Sequence, residues 1–214
     1  MNDLDFWLGA WADGRVGSRV NRPDNILDTY WSSLKPETGK RVLVPLCGRS
    51  RDLAWLASNG FVPIGVEISP IACRSFFAEL GVEPVRTSCG PFVKWQGSGV
   101  TILQGDFFDL DGAYDAAVDR GALVAIPPAH RMAYTNHLHA RLAPGAPILL
   151  VTIEFDPTRD AGPPYPLFPD EVRRLFPGSA ELARTPYRRR RWEHVGGATG
   201  VVWGARTAAP AGES

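Results

Sequence analysis

Short apolar runs alternate along this chain with segments whose apolar positions recur at helical spacing, and the alternation starts at Arg41. Arg41-Val42-Leu43-Val44 is continuously apolar after its first residue, the pattern of a strand buried on both faces of a parallel sheet. Residues 45–50 break that run. Leu53, Leu56 and Ala57 then share one face of a helix predicted over 51–59, which Gly60 stops. Val62 to Glu67 reads as a second strand that ends on an acid. Ser69 as N-cap and Pro70 at the first helical position open a helix that continues over 71–80 and ends at Gly81.

Farther along, two extended runs within 85–108 flank the turns Cys89-Gly90-Pro91 and Gly97-Ser98-Gly99, which predicts a hairpin-like excursion leading into a third core strand at 100–103. A buried strand is predicted at 114–118, closing on Asp119-Arg120. A helix follows over 127–142, closed by Pro144-Gly145, then a strand at 148–153 and a proline-rich loop over 156–169. A short helix at 171–176 and an antiparallel pair at 181–187 and 199–205 complete the pattern. Strands alternating with helices predict an α/β fold with a mostly parallel sheet and helices on both faces. Right-handed crossovers then bring the loops after each strand to one edge of the sheet, where ligands bind.

With no repeat and no linker composition, a single domain is expected over 1–206. Its segment 1–34 is tryptophan-rich (Trp7, Trp11, Trp31), and residues 207–214 form a small, polar, flexible tail. At 214 residues, 44% hydrophobic and 21% charged, the chain has the make-up of a soluble globular domain. Lys+Arg and Asp+Glu balance at 23 each, so no overall field draws it to nucleic acid or an acidic membrane. Cys47, Cys73 and Cys89 have no metal-ligand spacing, and an odd, sparse cysteine count fits a reducing cytoplasm. No apolar run approaches the roughly 18 residues that a membrane-spanning helix needs, and the acidic start Met1-Asn2-Asp3-Leu4-Asp5 does not read as a signal peptide. No metal, nucleic-acid or membrane partner is expected.

The turn after the first strand is where chemistry enters. A pyrophosphate site needs G-x-G-x-x-G so that backbone can approach two phosphates; here Gly48 stands alone, with Leu46 and Cys47 beside it. Such a turn suits a ribose-bearing ligand without phosphates, such as S-adenosylmethionine. Glu67 follows Gly48 by 19 residues, close to the roughly 20 expected of an acid that binds ribose. The predicted strand ends bring together Leu46-Cys47-Gly48, Glu67, Gly105-Asp106-Phe107 and Asp119-Arg120. In that group Glu67 suits ribose hydroxyls and Asp106 an adenine amino group. Phe107 offers backbone N–H and an apolar face, and Arg120 a carboxylate or an anionic acceptor.

Several stretches carry more specific information. They are Val44-Pro45-Leu46-Cys47-Gly48-Arg49-Ser50-x-Asp52-x-x-Trp55-Leu56-Ala57 with Gly60 and Val66-Glu67, then Asp119 to Ile126 with Arg131 and Tyr134, Gly105-Asp106-Phe107-Phe108, Gly162-Pro163-Pro164-Tyr165, and Phe6-Trp7-x-x-x-Trp11-x-x-Gly14. In these the chain resembles the thiopurine S-methyltransferase family over nearly its whole length. The resemblance implies a class I (Rossmann-like) methyltransferase fold with a seven-stranded-type sheet and an N-terminal lid over 1–34. It also implies S-adenosylmethionine held by Trp11, Leu46, Glu67, Asp106, Phe107 and Arg120, with Trp7 on the lid and Gly48 in the turn beside them. Arg120 is expected to serve catalysis as well. Ser18-Arg19 stand where the family usually has Phe-His near the acceptor, and Arg188 matches an arginine on the acceptor side, so Ser18, Arg19 and Arg188 are the expected substrate contacts. The rest of the run Arg188-Arg189-Arg190-Arg191 reads as a solvated loop.

Methyl transfer from a sulfonium to a thiolate is an in-line displacement that needs chiefly positioning and desolvation. His130, His137 and His139 are therefore not expected to be catalytic, and Cys47 is expected to pack rather than react. The expectation is a monomeric, cytoplasmic S-methyltransferase of a small-molecule thiol. The alternatives are methylation of another acceptor (selenium, tellurium, a halide, or a natural-product oxygen or nitrogen) and a non-catalytic cofactor-binding protein. Loss of the aromatic at Ser18 weighs against the family's flat aromatic thiols as acceptors.

Overall fold

A computed structural model describes residues 4–15, 26–187 and 195–208. Among these, nine strands form one sheet: β1 (Arg41–Val44), β2 (Val62–Glu67), β3 (Val85–Cys89), β4 (Phe92–Gly97), β5 (Val100–Gln104), β6 (Ala116–Arg120), β7 (Pro147–Glu154), β8 (Ala180–Tyr187) and β9 (Ala198–Arg206). Their order is β3-β4-β5-β2-β1-β6-β7-β9-β8. The central five, β5-β2-β1-β6-β7, run parallel, and each flank adds antiparallel strands.

The α/β fold with a central sheet flanked by helices is as expected; the sheet is mixed, its five parallel strands widened on both sides to nine among the described residues. The predicted hairpin excursion is not peripheral. β4 pairs antiparallel with β5 from Val93↔Gln104 to Gly97↔Val100, so the hairpin widens the sheet itself. Trp95 fastens it: the indole is buried, stacks on Phe77 at 6.5 Å and donates from Nε1 to Gln104 Oε1 at 3.0 Å.

The period of two along the central strands fills two cores at once. Leu43, Ala117, Ile148 and Leu150 point into one layer with Tyr134, Leu138 and Trp203. Val42, Val44, Ala116, Val118 and Leu149 point into the other with Leu53, Leu56, Phe76 and Phe77. The helices that close these layers are α2 (Asp52–Ser58), α3 (Pro70–Glu79), α4 (Arg131–Ala140) and α5 (Pro169–Leu175). Ser69 caps α3 as expected, its Oγ accepting from Ala72 N–H at 3.3 Å with Pro70 next to it. The predicted helix over 127–142 is shorter. Pro127 and Pro128 restrict the backbone before them, so a 3₁₀ turn (Pro128–His130) precedes α4.

The first 34 residues divide. α1 (Leu4–Ala12) lies against α3. Leu27, Trp31 and Leu34 are buried in the second core, Trp31 edge-on to Phe61, so the later part of the expected lid is core. Thr207, the first residue of the expected tail, is instead buried. Thr207 is tied to the preceding loop, its Oγ1 accepting from Ala146 N–H at 2.9 Å and donating to the Ala143 carbonyl at 2.6 Å.

Candidate active site at the strand ends

The carboxyl ends of β1, β2, β5 and β6 lie side by side, and the crossover direction reverses between β1 and β6. This switch point is where an open α/β sheet leaves a crevice for a ligand. Its floor is the turn after β1. Cys47 N–H donates to the Val66 carbonyl at 2.9 Å, which fixes the turn to β2. Leu46 sits at φ 43°, a left-handed conformation costing a non-glycine residue roughly 1–2 kcal/mol. Gly48 sits at φ 54°, and a Cβ there would lie 3.3 Å from Trp11 Cζ2. The Trp11 indole thus rests on this turn, close enough that a side chain at position 48 would make the ring give way. Cys47 points the other way, and its sulfur would lie 2.6 Å from a Cβ on Gly65 of β2. Burial, and the Glu67 carboxylate next, push its thiol well above the usual range, which agrees with packing rather than nucleophilic work.

Glu67 is 5% exposed, and it joins two turns. Oε2 accepts from Gly48 N–H and Oε1 from Ser69 N–H, both at 2.8 Å. Burial raises this carboxyl to about 7, against the backbone donors, which pull it down. A carboxylate offers about four acceptor positions. The two backbone bonds therefore orient the group and leave it able to accept from a vicinal diol.

Asp106 ends the loop after β5. Its Oδ1 accepts from Phe108 N–H at 3.0 Å and caps a 3₁₀ turn (Phe107–Asp109). The Phe107 ring turns inward, 5.2 Å from Tyr134 and 5.0 Å from His137, so its face is spent on the core and its backbone is what it can present to a ligand. At the end of β6, Arg120 Nη1 donates to Asp52 Oδ1 at 2.8 Å, across the switch point. Asp119, fully buried, accepts from Leu123 N–H at 3.0 Å and from the Tyr134 hydroxyl at 2.7 Å. Burial raises its carboxyl to about 6.

Trp11, Leu46, Gly48, Glu67, Asp106 and Arg120 are thus placed about the strand ends. Trp7 is on α1 one turn before Trp11, half-buried and edge-on to Phe6 at 5.3 Å. Ser18, Arg19, Arg188 and the arginine run to 191 lie outside the described residues. His137 packs on Phe107 and Phe108, His139 on Phe176, and burial lowers both imidazoles. Among the described residues, no group of three or more His, Cys, Asp or Glu side chains is arranged to hold a metal.

Three residues given no role in the sequence reading prove structural to the site. Asp52 holds Arg120. Asp119 holds the loop after Arg120. Arg131, 1% exposed, donates to Glu171 Oε2 at 2.9 Å and to the carbonyls of Tyr165 and Pro166, while Tyr165 N–H donates to the Val124 carbonyl at 2.7 Å. Together these bonds fasten the Gly162-Pro163-Pro164-Tyr165 loop beside the loop after β6. Asp52 and Arg131 lay within the motif stretches, but spacing does not reveal which way a charged side chain turns.

Known proteins resemble this chain over most of its length. The family model described as thiopurine S-methyltransferase matches residues 2–207. The thiopurine S-methyltransferase of Pseudomonas aeruginosa is 38% identical over 206 residues, covering 93% of this chain and 94% of its own. That of Nitrosospira multiformis is 40% identical over 176 residues, covering 80% of each. Among solved structures, the magnesium protoporphyrin IX methyltransferase of Synechocystis, with S-adenosylmethionine bound, shares the fold at a TM-score of 0.63 and 17% identity, over 97% of this chain and 98% of that one. The 1,6-didemethyltoxoflavin N1-methyltransferase of Burkholderia thailandensis does so at 0.62 and 20%, over 96% and 87%. The class I methyltransferase architecture, the strained turn beneath Trp11 and this match over residues 2–207 lead to one assignment: the chain belongs to the thiopurine S-methyltransferase family, S-adenosylmethionine-dependent S-methyltransferases.

Proposed function

We propose that the cofactor lies across the ends of β1, β2, β5 and β6, with Glu67 accepting from its ribose hydroxyls and Asp106 from its adenine amino group. Arg120 pairs with the carboxylate of its amino-acid end, Leu46 and Gly48 line the turn beneath it, Phe107 contributes backbone, and Trp11, with Trp7 behind it, covers the sulfonium. The observation that carries this reading is the Gly48–Glu67–Ser69 clasp under the Trp11 indole. An aromatic face suits a sulfonium as it suits other cations. S-adenosylmethionine, when bound, supplies a methyl group open to in-line attack by a thiolate.

The chain's own part is to orient and to dry. The clasp holds Glu67 before any ligand arrives, the ion pair with Asp52 fixes Arg120, and the lid indole shields the turn from water. Pre-positioning of this kind supplies much of the acceleration of a displacement that needs little acid–base help. The acceptor is a small-molecule thiol, with Ser18, Arg19 and Arg188 as its contacts; the thiopurines named for the relatives are the first to try. A reducing, cytoplasmic setting fits the three free thiols. A monomer is the proposed state, the exposed large apolar side chains being spread from Phe6 and Leu8 on α1 through Val62, Ile71, and Val85 and Val93 of the hairpin to Met132 and Phe168.

Calorimetric titration with S-adenosylhomocysteine tests the reading. Glu67→Ala is expected to weaken binding by about 1.5–3 kcal/mol, the scale of hydrogen bonds to a charged group. Unchanged affinity removes Glu67 from the ribose site. Turnover of a thiol panel by the wild-type protein then identifies the acceptor.

A further inference from the structure

Asp52 opens α2, and Arg120 ends β6. They are 68 residues apart in sequence, yet their ion pair at 2.8 Å spans the crevice between the two central strands at which the crossovers diverge. The pair is largely out of water: the Asp52 side chain is 6% exposed and that of Arg120 22%. Both ends are held independently. Asp52 N–H donates to Ser50 Oγ at 3.2 Å, and the backbone after Arg120 is gripped by Asp119 through Leu123 N–H. A flexible arginine at the end of a strand loses much rotamer freedom when it binds an anion. A buried carboxylate that already holds the guanidinium removes that loss.

We infer that Asp52 is a positioning residue for Arg120, holding the guanidinium toward the amino-acid end of the cofactor. This rests on the assignment of Arg120 to that end. Asp52 also offsets the arginine's charge, so the pair presents adjacent opposite charges, a match for a zwitterionic amino acid rather than for a simple anion.

The test compares two ligands by calorimetry: S-adenosylhomocysteine, which carries the amino-acid end, and 5′-methylthioadenosine, which keeps the nucleoside and sulfur without it. In the wild-type protein the first is expected to bind more tightly. Asp52→Asn, of the same size, is expected to weaken S-adenosylhomocysteine about tenfold and 5′-methylthioadenosine less than about twofold, since only the charge-assisted bonds of the amino-acid end are at stake. Asp52→Glu, which keeps the charge, is expected to recover most of the preference. Asp52→Asn added to Arg120→Ala is expected to cost nothing more, because the two act as a unit.

Equal weakening of both ligands by Asp52→Asn makes Asp52 a scaffold of α2 and overturns the inference, as does no change in either. If Arg120→Ala abolishes the preference while Asp52→Asn leaves it intact, the inference fails and the arginine's assignment stands. If Arg120→Ala leaves the preference intact, that assignment fails and the inference with it. Should Asp52→Asn not fold, Asp52→Ser, which removes the carboxylate with a smaller side chain, decides: a preference reduced severalfold with 5′-methylthioadenosine unchanged supports the inference, and an unaltered preference overturns it.

Discussion

Glu67 and Asp119 occupy equivalent places: each is a buried acid at the carboxyl end of a central parallel strand, and each is pushed up by burial, to about 7 and about 6. Their partners differ. Both oxygens of Glu67 accept from backbone N–H groups of the turns that border the crevice. One oxygen of Asp119 takes a backbone N–H and the other the Tyr134 hydroxyl, reaching from α4 through the core. Glu67 is thus clasped between two turns at the strand ends, as the proposed ribose site requires, whereas Asp119 is turned inward as part of the scaffold that carries Arg120. Position at a strand end is shared by site and scaffold, and the origin of the second oxygen's partner separates them.

The sharpest way to break this comparison is at Asp119. Asp119→Ala orphans the Tyr134 hydroxyl and the Leu123 N–H in the core, and it is expected to lower unfolding free energy by about 2–4 kcal/mol, read from urea denaturation. The affinity of the folded fraction for 5′-methylthioadenosine should stay within about threefold, since that ligand reaches neither group. A variant of wild-type stability that has lost nucleoside binding reverses the roles assigned to the two acids.

Titration sharpens the comparison next. The folded pKa of each acid lies above its unfolded value, so protons are held by the folded state and lost from the unfolded state as pH rises between the two values. Stability therefore falls across that window, from 3.8 to about 6 for Asp119 and from 4.5 to about 7 for Glu67, and the cost stays in full above it. A ligand whose hydroxyls donate to Glu67 favours the ionised form. Binding of S-adenosylhomocysteine is expected to tighten as pH rises toward 7, by at most about tenfold per unit, and to level off above it. Glu67→Gln should flatten that profile, whereas a mutation at the Asp119–Tyr134 pair should not. A profile unchanged in Glu67→Gln assigns the titration to another group.

The smallest expected effect is at the turn itself. Gly48→Ala puts a methyl group at φ 54° and 3.3 Å from the Trp11 ring, with an expected cost of about 1–2 kcal/mol from the left-handed backbone alone. The thermal midpoint should fall by a few degrees, and binding should weaken as the lid indole is displaced. If Trp11→Ala restores none of that binding loss, the indole is not what the methyl group meets.

Much of this molecule can be read along the chain. The strands at Arg41–Val44 and Val62–Glu67, the Ser69-Pro70 helix start and the lone-glycine turn carry their signal in the local pattern of residues, and all appear where that pattern puts them. What was misjudged depends on distant partners. The hairpin at 85–97 joins the sheet because Trp95 finds Phe77 and Gln104. Trp31 is core rather than lid because it meets Phe61. Phe107 points inward because Tyr134 and His137 lie beneath it, and Thr207 is held by a loop some sixty residues earlier.

By itself, the sequence determined the order and kind of the elements, the cofactor class and the acids and arginine at the strand ends. These follow from backbone preference, from the two- and 3.6-residue periods of burial, and from the spacing of glycine and acid. Only the tertiary structure decided which acid is clasped by two turns and which is bound from the core, and that Arg120 comes paired with Asp52. The direction of a charged side chain is set by where its desolvation is best offset, and that partner can lie anywhere in the chain.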